Sequence, residues 1–189
     1  MKQIYYRILP AFIILVGLNL ACQISIGGPA LPKSNIPIST QAAGSVENIW
    51  KSSVVENPKS GVVAFTLSEE QLTSFLAANL SAEQRPLLIN PQIVLQNGQI
   101  KVYGQVKKSY FIANVRIIMQ VNIDNNGQPK LNLVSADFGP LPAPASLLDS
   151  LSSILNEAFT GSIGPYATGF KIENIYVGDG LITITGKKE

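Results

Sequence analysis

The strongest constraint on the fold is a long run of alternating apolar residues between Tyr110 and Asp124. Apolar side chains recur there at every second position, which is the period of a β-strand with one buried face. They are Phe111, Ala113, Val115, Ile117, Met119, Val121 and Ile123. At about 3.3 Å per residue such a strand spans roughly 50 Å, whereas most strands have about five or six residues. A strand of this length has to curve, and other elements have to cover its apolar face.

Turn signals place further strands before and after this one. Asn97-Gly98 is typical of a two-residue hairpin turn and lies between two alternating segments. The alternation changes phase near Val134, which predicts a β-bulge or a strand that is buried on both faces. The segments 170–177 and 181–185 predict a closing hairpin.

Two amphipathic helices are predicted as well. Ser68 and Gln71 have the spacing of a capping box, in which each side chain bonds the backbone amide of the other residue. The helix that follows carries an apolar stripe, and a second stripe runs from Ala145 to Phe159. The order of these elements predicts an α+β domain, in which a curved antiparallel β-sheet packs around one or two amphipathic helices.

Residues 1–21 have the features of an export signal, with the basic residues Lys2 and Arg7 before a short apolar stretch. The ending LNLAC resembles the lipobox of bacterial lipoproteins, in which cleavage exposes a cysteine that carries a diacylglyceryl thioether. The resemblance implies lipid attachment at Cys22 and an exported protein, held at the cell membrane or the outer envelope surface. The alternative is that residues 1–21 stay in place as an uncleaved anchor.

Residues 22–60 are predicted to be the lipidated cysteine and a flexible tether, and residues 61–189 the folded domain. The segment after Cys22 is rich in glycine, proline and small polar residues without a sustained period, so it buries little surface on its own. Only the part from Ser45 to Ser53 has helical spacing, and it contains Trp50. Without residues 1–21 the chain has 12 basic and 12 acidic side chains, so its residence at a membrane would depend on the lipid.

The composition argues against an enzyme. The sequence contains no histidine, which excludes histidine-based triads, histidine metal sites and imidazole proton relays. One cysteine excludes an intrachain disulfide and a cysteine cluster for zinc or iron–sulfur. The acidic residues are spread singly, and no basic patch indicates nucleic acid. We therefore predict no catalytic residue, no metal site, no cofactor and no nucleic-acid partner.

The remaining unusual feature is the amount of apolar surface on the two helices and the long strand. It has two interpretations: a closed hydrophobic core, or a groove that the sheet leaves open and that is lined for acyl chains. The candidate groove residues are Phe75, Leu76, Phe111, Ile117, Met119, Phe138, Leu151, Leu155 and Phe159.

The order of several motifs resembles the YpmS-like and LmeA-like bacterial envelope proteins. The motifs are residues 97–104, residues 121–133 around Asn126-Gly127, residues 138–142 before a helix, and residues 175–186. The resemblance covers about residues 62–186. It implies a phospholipid-binding fold, with a curved antiparallel sheet around a long helix, similar to tubular lipid-binding domains. Those families have no catalytic residues to carry over.

Two functions remain open from the sequence. The first is a membrane-anchored lipoprotein whose non-catalytic domain binds phospholipid or another acyl-chain ligand in an apolar groove. The second is a structural or interaction lipoprotein, with a fully packed domain that docks to another envelope protein.

Overall fold

The computed structural model describes residues 24–25, 27–55, 61–81, 88–108, 110–124, 129–141, 145–160 and 170–188. The strands are β1 (Ile24–Ser25), β2 (Val62–Ser68), β3 (Ile89–Gln96), β4 (Gln99–Lys108), β5 (Phe111–Ile123), β6 (Pro129–Asp137), β7 (Phe170–Val177) and β8 (Leu181–Lys188). The helices are α1 (Thr40–Trp50), which continues into a π-helical turn (Lys51–Val55), α2 (Glu69–Ser81) and α3 (Ala145–Thr160). The α+β class predicted from the sequence is confirmed.

The strands form two sheets, and neither closes into a barrel. In the large sheet β3, β4 and β5 lie side by side, and both β6 and the short β1 pair with the remaining edge of β5. In the small sheet β8 lies between β2 and β7. Both sheets are antiparallel apart from β1, which runs parallel to β5. The second sheet arises because β2 pairs with β8, a partner at the other end of the chain that no local pattern reveals.

The long strand β5 has the predicted alternation. Ala113, Val115, Ile117 and Met119 are buried and their neighbours are less so. β4 pairs with β5 from Phe111 to Met119, and β6 pairs with it from Arg116 to Ile123. β4 and β6 are therefore offset along β5, and each of them leaves one end of β5, on its own side, available to another element.

The turns and the bulge also follow the sequence. Asn97 and Gly98 have φ angles of 55° and 72°, as a type I′ hairpin turn requires. In the pairing of β5 with β6, Ile118 lies opposite Ser135 whereas Met119 lies opposite Leu133, so Val134 is the extra residue of a β-bulge.

Helix α2 lies at the centre of the domain. Six consecutive residues, from Leu72 to Ala77, are buried, so the helix is covered on all sides there. The covering elements are α1, α3, β2 and β3. The capping box is confirmed: the Ser68 amide donates to Gln71 Oε1 at 2.8 Å, and the Gln71 amide donates to Ser68 Oγ at 3.2 Å.

Side chains of α2 also satisfy the free edge of β3. The amide of Ile93 donates to Thr73 Oγ1 at 2.9 Å, and the amide of Leu95 donates to Glu69 Oε1 at 2.7 Å. The carbonyl of Leu95 accepts from the amide of Gly180, in the turn between β7 and β8, at 2.9 Å. The helix and the small sheet are thus joined to the large sheet by hydrogen bonds as well as by apolar packing.

The described part of the predicted tether lies against the domain. The amide of Ile36 donates to Gln92 Oε1 at 2.6 Å, and the Ser39 amide donates to Ser74 Oγ at 3.1 Å. Helix α1 begins at Thr40, before the predicted Ser45, and buries Trp50, whose ring centre lies 4.9 Å from that of Phe65. Gln92 and Ser74, which bond this segment, are far from it in sequence, so its composition did not reveal these contacts. The boundary at residue 61 and the tether's reach stay predictions.

Replacing Thr73 by valine tests the hydrogen bond that holds the β3 edge. Valine has nearly the same shape but leaves the buried amide of Ile93 without its acceptor, so we expect a loss of about 1–3 kcal/mol in the free energy of unfolding. The measurement is the urea midpoint of a chain that starts at residue 22 and carries Cys22→Ala.

Thr66→Val is the matched control. The Thr66 hydroxyl is exposed on β2 and faces Thr183 Oγ1 at 3.4 Å, so its loss should change the free energy by less than about 0.5 kcal/mol. Equal losses in the two variants would contradict the role assigned to Thr73.

Candidate functional site

Most of the predicted groove residues lie in one continuous core. Those with described side chains that are at most 7% exposed are Phe75, Leu76, Ile117, Met119, Phe138 and Leu151. Phe111, at the start of β5, is 43% exposed. Leu155 and Phe159 belong to α3, but their side chains lie outside the described part of the structure. The structure therefore brings six of the nine residues together, and their role as groove residues stays a prediction.

The cover over this core ends at β6. Directly paired residues of antiparallel strands point to the same face of a sheet, so Leu133 shares the inner face with Met119, and Ala136 shares it with Ile117. Met119 and Ile117 are buried, whereas Leu133 is 51% exposed and Ala136 is exposed. On the inner face of β6, Leu133 and Ala136 are therefore exposed, whereas Leu131 is partly buried and Pro129 is buried.

Burial also decreases toward the end of β5. Val121 and Ile123 continue the apolar face beyond Met119 but are only partly buried, and Leu131 pairs with Val121. Val134 in the bulge is half exposed. We call the resulting surface the open strip; it consists of Val121, Ile123, Leu131, Leu133, Val134 and Ala136.

Helix α3 forms the neighbouring wall of the open strip. It packs against β6, and its residues Leu147 and Leu151 are buried, whereas Leu148 is only partly buried. All six side chains of the open strip are apolar. Such a surface gains about 25 cal/mol for every Å² that an apolar partner removes from water. Its chemistry fits hydrocarbon and offers nothing to a charged ligand.

A separate cleft differs from the open strip because several of its lining side chains are amides. It is a cleft of about 460 Å³, and the residues that line it are Leu31, Pro32, Asn35, Ile36, Pro37, Ile38, Asn90, Gln92 and Gln105. Gln92 uses both ends of its amide on the backbone of Ile36, and Gln105 Nε2 donates to Asn114 Oδ1 at 3.1 Å. The Gln92 amide therefore holds the N-terminal segment on the sheet and the Gln105 amide links β4 to β5, and none of the predicted groove residues lines this cleft.

The predictions of an export signal and of lipid attachment are not tested by the described residues. Cys22 and the export signal lie outside them, and no helix within the described ranges is long and apolar enough to span a membrane. Over the same ranges, no three His, Cys, Asp or Glu side chains form a group suited to a metal ion.

The open strip is not among the features predicted from the sequence. The only signal for it was the phase change near Val134, which places apolar residues on successive positions of β6. Whether such residues are covered depends on where α3 and β7 pack, and the local pattern of β6 does not contain that information.

Comparisons with known proteins give little. No protein-family model matches the sequence, and no curated protein matches it. A structural match is the crystal structure of a lipopolysaccharide binding protein, with a TM-score of 0.29 and 13% sequence identity over 68% of this chain. The match spans half the length of that protein.

The contrast between core and open strip predicts opposite outcomes for two substitutions on paired residues. Met119→Ala removes a buried side chain and should lower the free energy of unfolding by about 2–5 kcal/mol. Leu133→Ser, directly opposite, should change it by less than about 0.5 kcal/mol, because the side chain is half exposed. Urea unfolding of both variants checks this, and a large loss from Leu133→Ser would show that the open strip is covered.

Proposed function

We propose that this protein is a membrane-anchored lipoprotein whose non-catalytic domain binds phospholipid or another acyl-chain ligand along the open strip. The observation that carries the proposal is the exposure of Leu133 and Ala136 on the inner face of β6, beside an apolar core and a helix with a partly buried leucine. An acyl chain laid on this face would take the place that a further covering element would occupy.

The chemistry of the open strip favours hydrocarbon over a polar ligand. An exposed apolar edge strand exposes a folded protein to aggregation unless something covers it. Each methylene that moves from water onto such a surface contributes about 0.8 kcal/mol, or roughly a fourfold gain in affinity. A chain of several methylenes therefore binds usefully without any ion pair.

The proposed cellular location follows from residues 1–22. Residues 1–21 would direct export, and a diacylglyceryl group on Cys22 would hold the protein at the cell membrane or the outer envelope surface. Two acyl chains are needed for stable attachment, since one alone binds only reversibly. With 12 basic and 12 acidic side chains after Cys22, charge alone would not hold the protein on anionic lipid.

A second function is favoured by the burial of the predicted groove residues. Six of them form a packed core, as expected of a lipoprotein that uses its surface to dock to another envelope protein. In that case the open strip is where the protein partner binds, and lipid is absent from the purified domain.

Fatty acids of increasing length distinguish the two functions. With a chain that starts at residue 22 and carries Cys22→Ala, we expect native mass spectrometry to show bound phospholipid. Titration with fatty acids should give an affinity that rises roughly fourfold per methylene until the open strip is filled. Leu133→Asp should weaken this binding at least tenfold, because an ionised carboxylate replaces an apolar contact.

Leu181→Asp is the control for that substitution. Leu181 is a strand leucine that is 49% exposed, close to the exposure of Leu133, but it belongs to the small sheet. It should leave fatty-acid affinity unchanged. A lipid-free mass together with affinity that does not depend on chain length would remove the proposed ligand and support the docking lipoprotein.

A Cys22→Ala variant of the full chain tests the anchor. Without the thiol no thioether forms, so we expect the variant to lose the lipid mass and to accumulate with the leader attached. Fractionation, immunoblotting and intact mass of the two forms give the answer. Wild-type protein that keeps residues 1–21 and gains no lipid mass would establish the uncleaved anchor instead.

A further inference from the structure

The N-terminal segment is fixed to the beginning of β5. Ile24 lies opposite Phe111 and Ser25 opposite Ile112 in the parallel pairing of β1 with β5. The amide of Asn114 then donates to the carbonyl of Gly27 at 2.9 Å. This segment fills the part of the β5 edge that β6 leaves vacant, because β6 reaches only as far as Arg116.

The contact between Gly28 and β5 is too close for any other residue. A Cβ atom at Gly28 would collide with the carbonyl oxygen of Asn114, and its φ of +113° is a conformation that side chains rarely adopt. Gly139, at the end of β6, packs against Gly28 with similar closeness. The path of the chain at residues 27–28 is therefore set by backbone packing.

This path determines where a membrane anchor can be. Cys22 precedes Ile24 by only two residues, so a lipid attached to Cys22 would be joined to the beginning of β5 by a very short piece of chain. Whether the membrane is reached through a lipid on Cys22 or through residues 1–21 as an uncleaved anchor, the chain would enter the domain at this point. In either case the beginning of β5 is held at the bilayer surface.

The hairpin at that point carries exposed aromatic residues. Lys108 pairs with Phe111, so two residues connect β4 to β5. Tyr110, in this connection, is 79% exposed, Phe111 is 43% exposed, and Lys107 is exposed on β4. Tyrosine is favoured at the boundary between headgroups and acyl chains, where its ring is in hydrocarbon and its hydroxyl in water. A lysine beside it can direct its ammonium group toward the headgroups.

We propose that the tip of the β4–β5 hairpin is a second membrane contact, which inserts Tyr110 and Phe111 into the surface of the bilayer that holds the N-terminus. The occupant of this surface is lipid headgroup and upper acyl chain. The proposal rests on the N-terminal anchorage in the proposed function and not on ligand binding at the open strip. A membrane contact at the tip would fix which end of the domain faces the bilayer, whereas a flexible tether would not.

The test uses the full-length protein purified from membranes and reconstituted into vesicles of phosphatidylcholine with some phosphatidylglycerol. Tyr110→Cys is labelled with an environment-sensitive dye, and wild-type protein treated in the same way corrects for any label on Cys22. We expect a blue-shifted emission that spin-labelled lipids quench. Tyr176→Cys is the matched control, since Tyr176 is 67% exposed on the small sheet, and its dye should remain in water.

Three other results would overturn the proposal: a dye at position 110 that stays in water, quenching at position 176 alone, or equal quenching at both positions. A second measurement does not depend on labelling. In the Cys22→Ala chain that starts at residue 22, Tyr110→Ser with Phe111→Ser should weaken vesicle binding about tenfold, while Tyr176→Ser should not. Equal vesicle affinity of the Tyr110→Ser/Phe111→Ser double variant and the Tyr176→Ser variant would also contradict docking through the tip.

The same preparations separate this proposal from the proposed function. The Tyr110→Ser variant should bind fatty acids with unchanged affinity, because the nearest residue of the open strip, Ala136, lies opposite Ile117, about 20 Å farther along β5 than Phe111. A quenched dye at position 110 in a protein that binds no fatty acid would support tip docking and reject the acyl-chain ligand. Fatty-acid binding in a protein whose dye at position 110 stays in water would reject tip docking alone.

Discussion

The structure depends on the length of β5, which no single neighbour can pair along its whole course. β4 pairs with its first part and β6 with its second part, so the two hairpins are offset along the same strand. The vacant edge at one end is filled by β1, and the inner face at the other end is only partly covered. Both surfaces with a proposed function therefore follow from one strand that is longer than its partners.

Apolar residues on this strand have different roles along its length. In the middle, Val115, Ile117 and Met119 are buried in the hydrophobic core, and their contribution is to stability. At the ends, Phe111 and Ile123 have the same alternation but incomplete cover. An acyl ligand or a membrane would use only these ends, so function and stability are separable by substitution at paired positions of one sheet.

The sequence predicted the features that short-range chemistry determines. The capping box of Ser68 and Gln71, the positive φ angles at Asn97 and Gly98, the alternation of β5 and the bulge at Val134 all involve residues within a few positions of each other. The separate small sheet, the packing of residues 27–50 on the domain and the exposure of Leu133 depend on partners far away in the chain. No local period encodes them, which is why a segment rich in glycine and proline suggested a flexible tether.

The positions of the two surfaces constrain how a ligand would be handled. An acyl chain in one leaflet extends through about half of the 30 Å hydrocarbon core, or roughly 15 Å. The nearest residue of the open strip, Ala136, lies opposite Ile117, about 20 Å along β5 from Phe111 at the hairpin tip. With β5 perpendicular to the bilayer, a lipid bound there could not keep its headgroup in the leaflet on which the tip rests, so binding would require complete removal from that leaflet or supply from elsewhere. The two proposals together therefore favour a protein that holds lipid away from its own membrane over one that senses lipid within it.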